Sequence, residues 1–209
     1  MVIVSEKTAS IAWEQGFVQL FDNGIEMPEN GFSRHSTAVI EIKDVENNLY
    51  NELFPMPIDQ VNECSNYLLT GEGIIDHDWS RIYRERIFES DGDKTETIVK
   101  LLTDWPDCPR AQIGIWDNQE DIKRDNKAPC LQLLWFKIIE KRLELHVHMR
   151  TCDCYGKLLM NINEFISLQK MVSKKLNLES GAYIHFIDSL HFHKNDEEKV
   201  VDVYKKIKT

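Results

Sequence analysis

The sequence predicts an α+β fold in which a mixed β-sheet is covered by helices. Apolar residues alternate with polar residues along 142–150, which is typical of a half-buried strand. Apolar residues then recur at helical spacing through 162–176, which favours an amphipathic helix. The short connection from Glu140 to Arg142 indicates that the strands over 130–139 and 142–150 form an antiparallel hairpin.

The first half of the chain has weaker patterns, and its N-terminal segment up to residue 32 mixes apolar residues with turn formers. Residues 39–42 are typical of a strand. A helix is predicted over 57–70, where Gly71 supplies its end. A second helix is predicted over 94–103, and it ends before Pro106.

The second half of the chain is dominated by strand patterns. Asn161 stands where the N-cap of the helix over 162–176 is expected, and Gly181 follows the end of that helix. The charged tail over 195–209 is predicted to be helical. The predicted strands of this half are 112–116, 130–139, 142–150 and 182–190.

Composition limits the functions that are open to this chain. Its 209 residues are 42% apolar and carry a net charge of −10, and we expect one domain over 1–209. The acidic balance argues against nucleic-acid binding, because phosphate neutralisation needs clustered Lys and Arg. No run of about 18 apolar residues occurs, so no membrane span is expected. The N-terminus lacks a secretory signal, so we expect a cytoplasmic protein with reduced cysteines.

Four residues are candidates for chemistry on an anionic substrate. Arg34, Arg110 and Arg150 can each bind a phosphate, because a guanidinium offers planar bidentate donors. Single arginines are more often found in surface ion pairs. Cys130 follows a proline at the start of an apolar strand, where a nearby cation would favour the nucleophilic thiolate. Taken alone, such a cysteine is more often a small buried apolar side chain.

Paired histidines and cysteines leave a metal site open as an alternative. An extended chain places alternate residues on one face, so each such pair offers two zinc ligands. No Cys-x-x-Cys pair is present, however, and the first histidine pair fits the polar face of an amphipathic strand. A zinc-binding interaction protein is therefore the third hypothesis. The pairs are His146 and His148, Cys152 and Cys154, and His191 and His193.

Several spaced motifs, in one order, resemble those of the thymidylate synthase family. The run Ala128-Pro-Cys130 precedes the hairpin, Arg150-Thr-Cys-Asp153 follows it, and Asn161 stands eleven residues after Arg150. The later run Asp188-Ser-Leu-His191 is similar to the family's sugar-binding motif. Weaker resemblances are Tyr83-Arg-Glu-Arg86, the segment from Pro109 and Arg110 to Trp116, and Arg34 with Ser36 and Thr37.

The resemblance implies a reaction at C5 of a pyrimidine nucleoside 5′-monophosphate. Cys130 would add to C6 of the base, so that C5 can attack a one-carbon donor. Arg150 would bind the phosphate and favour the thiolate, because an opposite charge stabilises it. Arg34 and Thr151 would bind the same phosphate, and Arg110 would reach it from the partner subunit of a homodimer packed through its sheets.

The remaining implied roles concern the base, the sugar and the donor. Asn161 would recognise uracil, because an amide matches its N3–H and O4, whereas family members that act on cytosine typically carry Asp there. Asp153 would orient the pterin, and Tyr83 would assist proton abstraction from C5. His191 would contact the sugar hydroxyl.

Four departures from the family pattern change what is expected. His193 replaces a tyrosine at the second sugar position, so a ribonucleotide joins dUMP as a candidate. Pro109 replaces the neighbouring arginine. Glu63 is nearest to the family's catalytic glutamate but is displaced by one residue. The chain ends soon after His193, so the usual C-terminal closing segment is expected to be absent.

Several alternatives therefore stay open at this point. The donor is 5,10-methylene-tetrahydrofolate or a methanopterin analogue, and a flavin-assisted variant is also conceivable. The enzyme is expected to be a C5-methyltransferase acting on dUMP or UMP, and transfer of a hydroxymethyl group to the same nucleotides stays open. The alternatives are a hydroxymethylase acting on CMP or dCMP and a non-catalytic relative that binds nucleotides.

Overall fold

The computed structural model describes residues 1–73, 78–123 and 128–209. In chain order the helices are α1 (Ala9–Asn23), α2 (Ile58–Thr70), α3 (Asp78–Arg84, continued by a π-helical turn over Glu85–Glu89), α4 (Lys94–Asp104), α5 (Leu158–Lys175) and α6 (Glu197–Lys208). The strands are β1 (Val2–Glu6), β2 (Ile25–Met27), β3 (Phe32–Ile42), β4 (Gln112–Gly114), β5 (Leu131–Ile139), β6 (Arg142–Met149), β7 (Cys152–Asp153) and β8 (Glu179–His193). Short 3₁₀ turns lie at Pro28–Asn30, Asp121–Lys123 and Lys194–Asp196.

The described strands form one mixed sheet, which confirms the predicted fold class. Its main path runs β1-β3-β8-β6-β5-β4, while β2 pairs with β3 and β7 pairs with β8. The β1–β3 and β6–β8 pairs are parallel, whereas the β3–β8, β5–β6 and β4–β5 pairs are antiparallel. The β5–β6 hairpin closes through Glu140 and Lys141, whose positive φ values of 49° and 64° are those of a two-residue turn.

The two faces of the sheet differ in burial. Alternate residues of β6, such as Leu145 and Val147, are fully buried beneath α5, which also packs against α2 and β8. This pattern places the core on the helical side of the sheet. The opposite face is half-exposed and forms a shallow groove of about 540 Å³. We call it the open sheet face; it includes Val39, Leu133, Trp135, His146 and Phe186.

Most predicted elements are found, with shifted ends. Helix α2 ends at Gly71 as predicted, because that glycine has a φ of 77° and its N–H donates to the Tyr67 carbonyl. The strand predicted over 112–116 stops at Gly114, and the last strand runs on to His193. The N-terminal segment, for which no element is predicted, holds β1 and α1. The apolar residues of α1 recur at helical spacing. Among the described helices, none is long and apolar enough to cross a membrane.

Candidate active site

One cavity of about 430 Å³ collects eight of the eleven predicted site residues. It lies where β5 begins and where β6 and β8 end, and α3 and α5 form its helical wall. We call it the site cavity. Its predicted members are Tyr83, Cys130, Arg150, Thr151, Asp153, Asn161, His191 and His193. The other lining residues are Phe32, Trp79, Ser80, Met149, Cys152, Lys157 and Met160.

The β5–β6 hairpin brings Cys130 and Arg150 together. Leu131 pairs with Met149, so the residue before β5 lies beside the residue after β6. The Arg150 backbone N–H donates to the Cys130 carbonyl at 2.9 Å. The Arg150 guanidinium donates to the carbonyls of Pro129 at 3.1 Å and Ala128 at 2.8 Å. These bonds hold a fixed positive charge beside the thiol.

Two thiols line the site cavity, and their surroundings separate them. Burial raises the pKa of the Cys130 thiol, and the Arg150 charge opposes that rise. Burial raises the pKa of Cys152 well above its ordinary value, and the Asn161 amide only partly opposes this. Cys130 is also partly exposed, whereas Cys152 is buried. Cys130 is therefore the thiol that can contact a ligand, and the Arg150 guanidinium beside it favours its thiolate form.

Tyr83 anchors α3 to the start of β5. Its hydroxyl accepts the Leu131 N–H at 3.1 Å, and the side chain is buried. Burial raises the pKa of Tyr83 well above its ordinary value. The hydroxyl therefore keeps its proton, which it can donate inside the site cavity.

A wall of rings closes the side of the site cavity at β8. His191 stacks on Phe32 with ring centroids 3.9 Å apart, and its Nε2 lies 3.4 Å from Nε2 of His193. Burial lowers the pKa of His191 to about 4, so this imidazole is neutral at pH 7. Thr151 Oγ1 donates to the Ser189 carbonyl at 3.2 Å and lies 3.2 Å from His191 Nδ1. Neutral imidazoles and hydroxyls can bind sugar hydroxyls without carrying charge.

Asp153 is a fixed carboxylate beside these rings, because β7 pairs with β8 so that Asp153 lies next to His191. The N–H groups of Tyr155 and Gly156 donate to its two oxygens at 3.0 and 3.1 Å. Burial raises the pKa of Asp153, while His193 and these N–H groups act against that rise. The carboxylate therefore has a set orientation and can accept hydrogen bonds from a ligand.

Asn161 is not the N-cap that the sequence pattern predicts. Helix α5 begins at Leu158, so Asn161 lies in its first turn and its side chain faces the site cavity. Its amide nitrogen donates to the sulfur atoms of Cys152 at 3.5 Å and Met149 at 3.8 Å. Sulfur is a weak acceptor, so a ligand carbonyl can compete for this donor.

Three predicted site residues lie outside the site cavity of their own chain. Glu63 is exposed on α2 and lines a separate surface pocket, so its expected placement among the reacting groups is not found. Arg34 pairs with Glu26 at 3.2 Å and donates to the carbonyl of Ser33 at 2.7 Å. Arg110 is exposed, with its guanidinium 5.7 Å from the centre of the Trp105 ring.

Sequence reasoning missed three polar residues at the site. Lys157 and Ser80 line the site cavity, and the fully buried Glu164 accepts a hydrogen bond from Ser80. Helical spacing was the available signal, because Ser80 stands one turn before Tyr83 and Glu164 one turn after Asn161.

The zinc alternative finds no support in the described part of the chain. Within residues 1–73, 78–123 and 128–209, no group of three or more His, Cys, Asp or Glu side chains could hold a metal ion. Cys152 and Cys154 are buried free thiols, and His191 and His193 contact each other. The paired spacing reflects the alternation of strand residues.

A fixed guanidinium beside a half-buried thiol, facing a buried amide, defines a site of the cysteine-nucleophile class. The chain belongs to the thymidylate synthase family, whose sequence model, described as "Thymidylate synthase", matches residues 30–208. Membership of this family implies methyl transfer to C5 of a pyrimidine nucleotide.

Individual relatives agree with this assignment. A Methanosarcina mazei protein named "Putative thymidylate synthase" is 25% identical over 98% of this chain and 95% of its own length. A protein of the same name from Methanococcoides burtonii is 24% identical over 97% of this chain and 94% of its own length. A thymidylate synthase from Buchnera aphidicola is 28% identical over 51% of this chain, which is 40% of that protein.

Proposed function

We propose that this chain transfers a one-carbon unit to C5 of a uracil nucleoside 5′-monophosphate, with Cys130 adding to C6. The observation that carries the proposal is the placement of Cys130, Arg150 and Asn161 around one cavity of about 430 Å³. That volume suits one nucleotide-sized ligand. The thiolate supplies the nucleophile, the guanidinium binds phosphate, and the amide reads the base.

The sugar and phosphate have matching groups on one side of the site cavity. Arg150 is proposed to bind the 5′-phosphate, and Thr151 would donate a further hydrogen bond to it by exchanging its bond to the Ser189 carbonyl. His191 and His193 are proposed to contact the sugar hydroxyls. Because two neighbouring imidazoles offer more than one hydrogen-bonding atom, UMP is a candidate substrate beside dUMP. Arg34 would join the phosphate by exchanging its ion pair with Glu26 for it.

The family's one-carbon donor, methylene-tetrahydrofolate, fits the residues that remain. A reduced pterin presents N–H donors and a flat ring, and the site cavity offers the fixed Asp153 carboxylate and the half-buried Trp79 indole. When bound, the donor supplies the carbon that C5 attacks. Asp153 would orient it, and the buried wall would exclude water. A methanopterin donor would use the same pterin contacts. A requirement for flavin is tested separately, by measuring tritium release with and without it.

A homodimer through the open sheet face is proposed as the working assembly. That face is apolar at Leu133, Trp135 and Phe186, and Phe186 is 41% exposed. Pro109 lines the same groove, so the exposed Arg110 stands at its edge. Pairing two such faces would bury this apolar surface and carry Arg110 towards the partner's phosphate.

Substituting Phe186 by glutamate is expected to give a monomer. The charge would stand in the centre of the buried interface without a partner, which is strongly unfavourable. Light scattering coupled to size exclusion at micromolar concentration measures this. Glu179→Gln, on the exposed start of β8, is the control and should leave the mass unchanged. A native chain that is itself monomeric would contradict the proposed assembly.

Substituting Asn161 by aspartate is expected to change base preference from uracil to cytosine by about tenfold or more. Burial favours a protonated carboxyl, which can donate to cytosine N3 and accept from its amino group. Competitive turnover of UMP and CMP, and of dUMP and dCMP, measures the change. Asn163→Asp is the matched control, since Asn163 donates to the backbone of Leu49 and Leu159 away from the site cavity.

The proposed function is tested by release of tritium from C5 of dUMP, UMP, dCMP and CMP. Each nucleotide is supplied with methylene-tetrahydrofolate or its methanopterin analogue, with and without a flavin. Release from a uracil nucleotide supports the proposal, and product analysis separates methyl from hydroxymethyl. Release from a cytosine nucleotide alone would favour the hydroxymethylase alternative. Nucleotide binding without release would instead support a non-catalytic relative, which the outward-facing Glu63 favours.

A further inference from the structure

Behind the site cavity lies a buried carboxyl group, that of Glu164 on α5. The side chain has no exposed surface, and Ser80 Oγ lies 2.6 Å from its Oε1. Among the described residues, its second oxygen, Oε2, has no hydrogen-bond partner. Burying a carboxylate without full compensation lowers the stability of the fold, so a carboxyl in this position is expected to have a function.

Polar residues of α3 and α5 lie between this carboxyl and the site cavity. On α5, Glu164 stands one turn beyond Asn161, and on α3, Ser80 stands one turn before Tyr83. Asn161, Ser80 and Tyr83 all line the site cavity. The Ser80 hydroxyl therefore connects the buried carboxyl with the space where the base is proposed to lie.

We propose that Glu164 is the proton store of this site and that Ser80 passes its proton to the oxygen on C4 of the bound pyrimidine. The inference rests on the proposed function and deepens it. It gives the chain a carboxyl for proton transfer on α5, whereas the predicted Glu63 is exposed on α2. Glu164 acts through Ser80 and is therefore a positioning residue.

The proton transfer balances in both directions. When the Cys130 thiolate forms its bond to C6, the C5–C6 electron pair moves towards the C4 oxygen. That oxygen takes the Ser80 hydroxyl proton, and Ser80 takes the proton of Glu164, which becomes a carboxylate. When the thiolate leaves C6, the enol proton returns through Ser80 to Glu164. No oxidant or reductant is involved.

The ionisation of Glu164 falls in the range that such a transfer needs. Burial raises the pKa of Glu164 to about 7, opposed by Ser80 and by the charge of Lys157. Among the residues that the structure describes, the other titratable groups that face it are Cys64 on α2, Tyr83 on α3 and Tyr183 on β8. Burial raises the pKa of Cys64 to about 11 and those of both tyrosines well above 10. These three groups therefore stay protonated across neutral pH.

The test is the pH profile of tritium release between pH 5 and 9. In the native chain the rate should rise with pH up to about 7, as Cys130 ionises, and level off above about 7, because the loss of the Glu164 proton then offsets the gain of thiolate. Glu164→Gln should lose this break, so that its rate keeps rising above pH 7, and should release tritium about a hundredfold more slowly at pH 6. Ser80→Ala leaves Glu164 in place and should lower the rate similarly, which keeps the test informative if Glu164→Gln fails to fold. Ser173→Ala removes a buried hydroxyl outside the site cavity and should match the native rate.

The outcomes separate this inference from the function on which it rests. A native chain that releases tritium from none of the four nucleotides overturns the proposed function and this inference with it. Native release, together with an unchanged rate and an unchanged break near pH 7 in a folded Glu164→Gln or Ser80→Ala variant, overturns the inference alone. Loss of the break near pH 7 in Glu164→Gln, with slow release in Ser80→Ala, supports it.

Discussion

Replacing Cys130 by alanine is expected to reduce tritium release from C5 to the uncatalysed background. Without an adduct at C6, C5 has no enolate character and cannot exchange its hydrogen or attack a donor. The phosphate and base contacts proposed for Arg150 and Asn161 remain, so nucleotide binding should persist. Calorimetry on the same variant measures that separation between binding and chemistry.

Two other cysteines provide controls for the loss of a thiol. Cys108→Ala removes a buried thiol outside the site cavity and should retain release. Cys152→Ala removes the second thiol that lines the cavity. If Cys152→Ala abolishes release while Cys130→Ala does not, the nucleophile has been assigned wrongly. In the native chain, the rate at which an alkylating reagent modifies Cys130 should keep rising with pH above 7. The thiolate is the reacting form, and burial raises the pKa of this thiol.

The sequence-predicted parts of the site are those that depend on strand register. Alternation over 142–150 predicts the hairpin, and the hairpin alone brings Cys130 next to Arg150. The order of the motifs then adds Asp153 and Asn161 at short distances along the same chain. Local pattern and tertiary placement agree here because few residues separate the groups.

The parts that the sequence could not predict depend on packing between distant segments. Glu164 resembles any polar residue of an amphipathic helix, and its full burial depends on the packing of α2 against α5 and on the contact with Ser80 of α3. Arg34 is a phosphate candidate by type, but β2 places Glu26 beside it. Helix α5 begins at Leu158, three residues before the expected cap, and this places Asn161 inside the helix with its side chain facing the cavity.

Replacing Glu164 by glutamine is expected to remove a pH-dependent loss of stability. The pKa of Glu164 rises from 4.5, its ordinary value, to about 7 in the folded chain. Between these values the folded state binds more protons than the unfolded state, so the free energy of unfolding falls as pH rises and levels off above 7. A rise of this size corresponds to about 3 kcal/mol. Glutamine does not titrate, so its free energy of unfolding lacks this contribution.

Urea unfolding at pH 5 and pH 8 measures the effect directly. The free energy of unfolding of Glu164→Gln, relative to the native chain, should increase by about 2.5 kcal/mol between the two conditions. Glu63→Gln removes an exposed carboxyl and should stay within about 0.5 kcal/mol of the native chain at both. Parallel pH profiles for Glu164→Gln and the native chain would contradict a buried, proton-holding Glu164. Burial of Glu164 would thus lower the stability of the fold at neutral pH. Such a loss is expected where a buried carboxyl serves proton transfer and not stability.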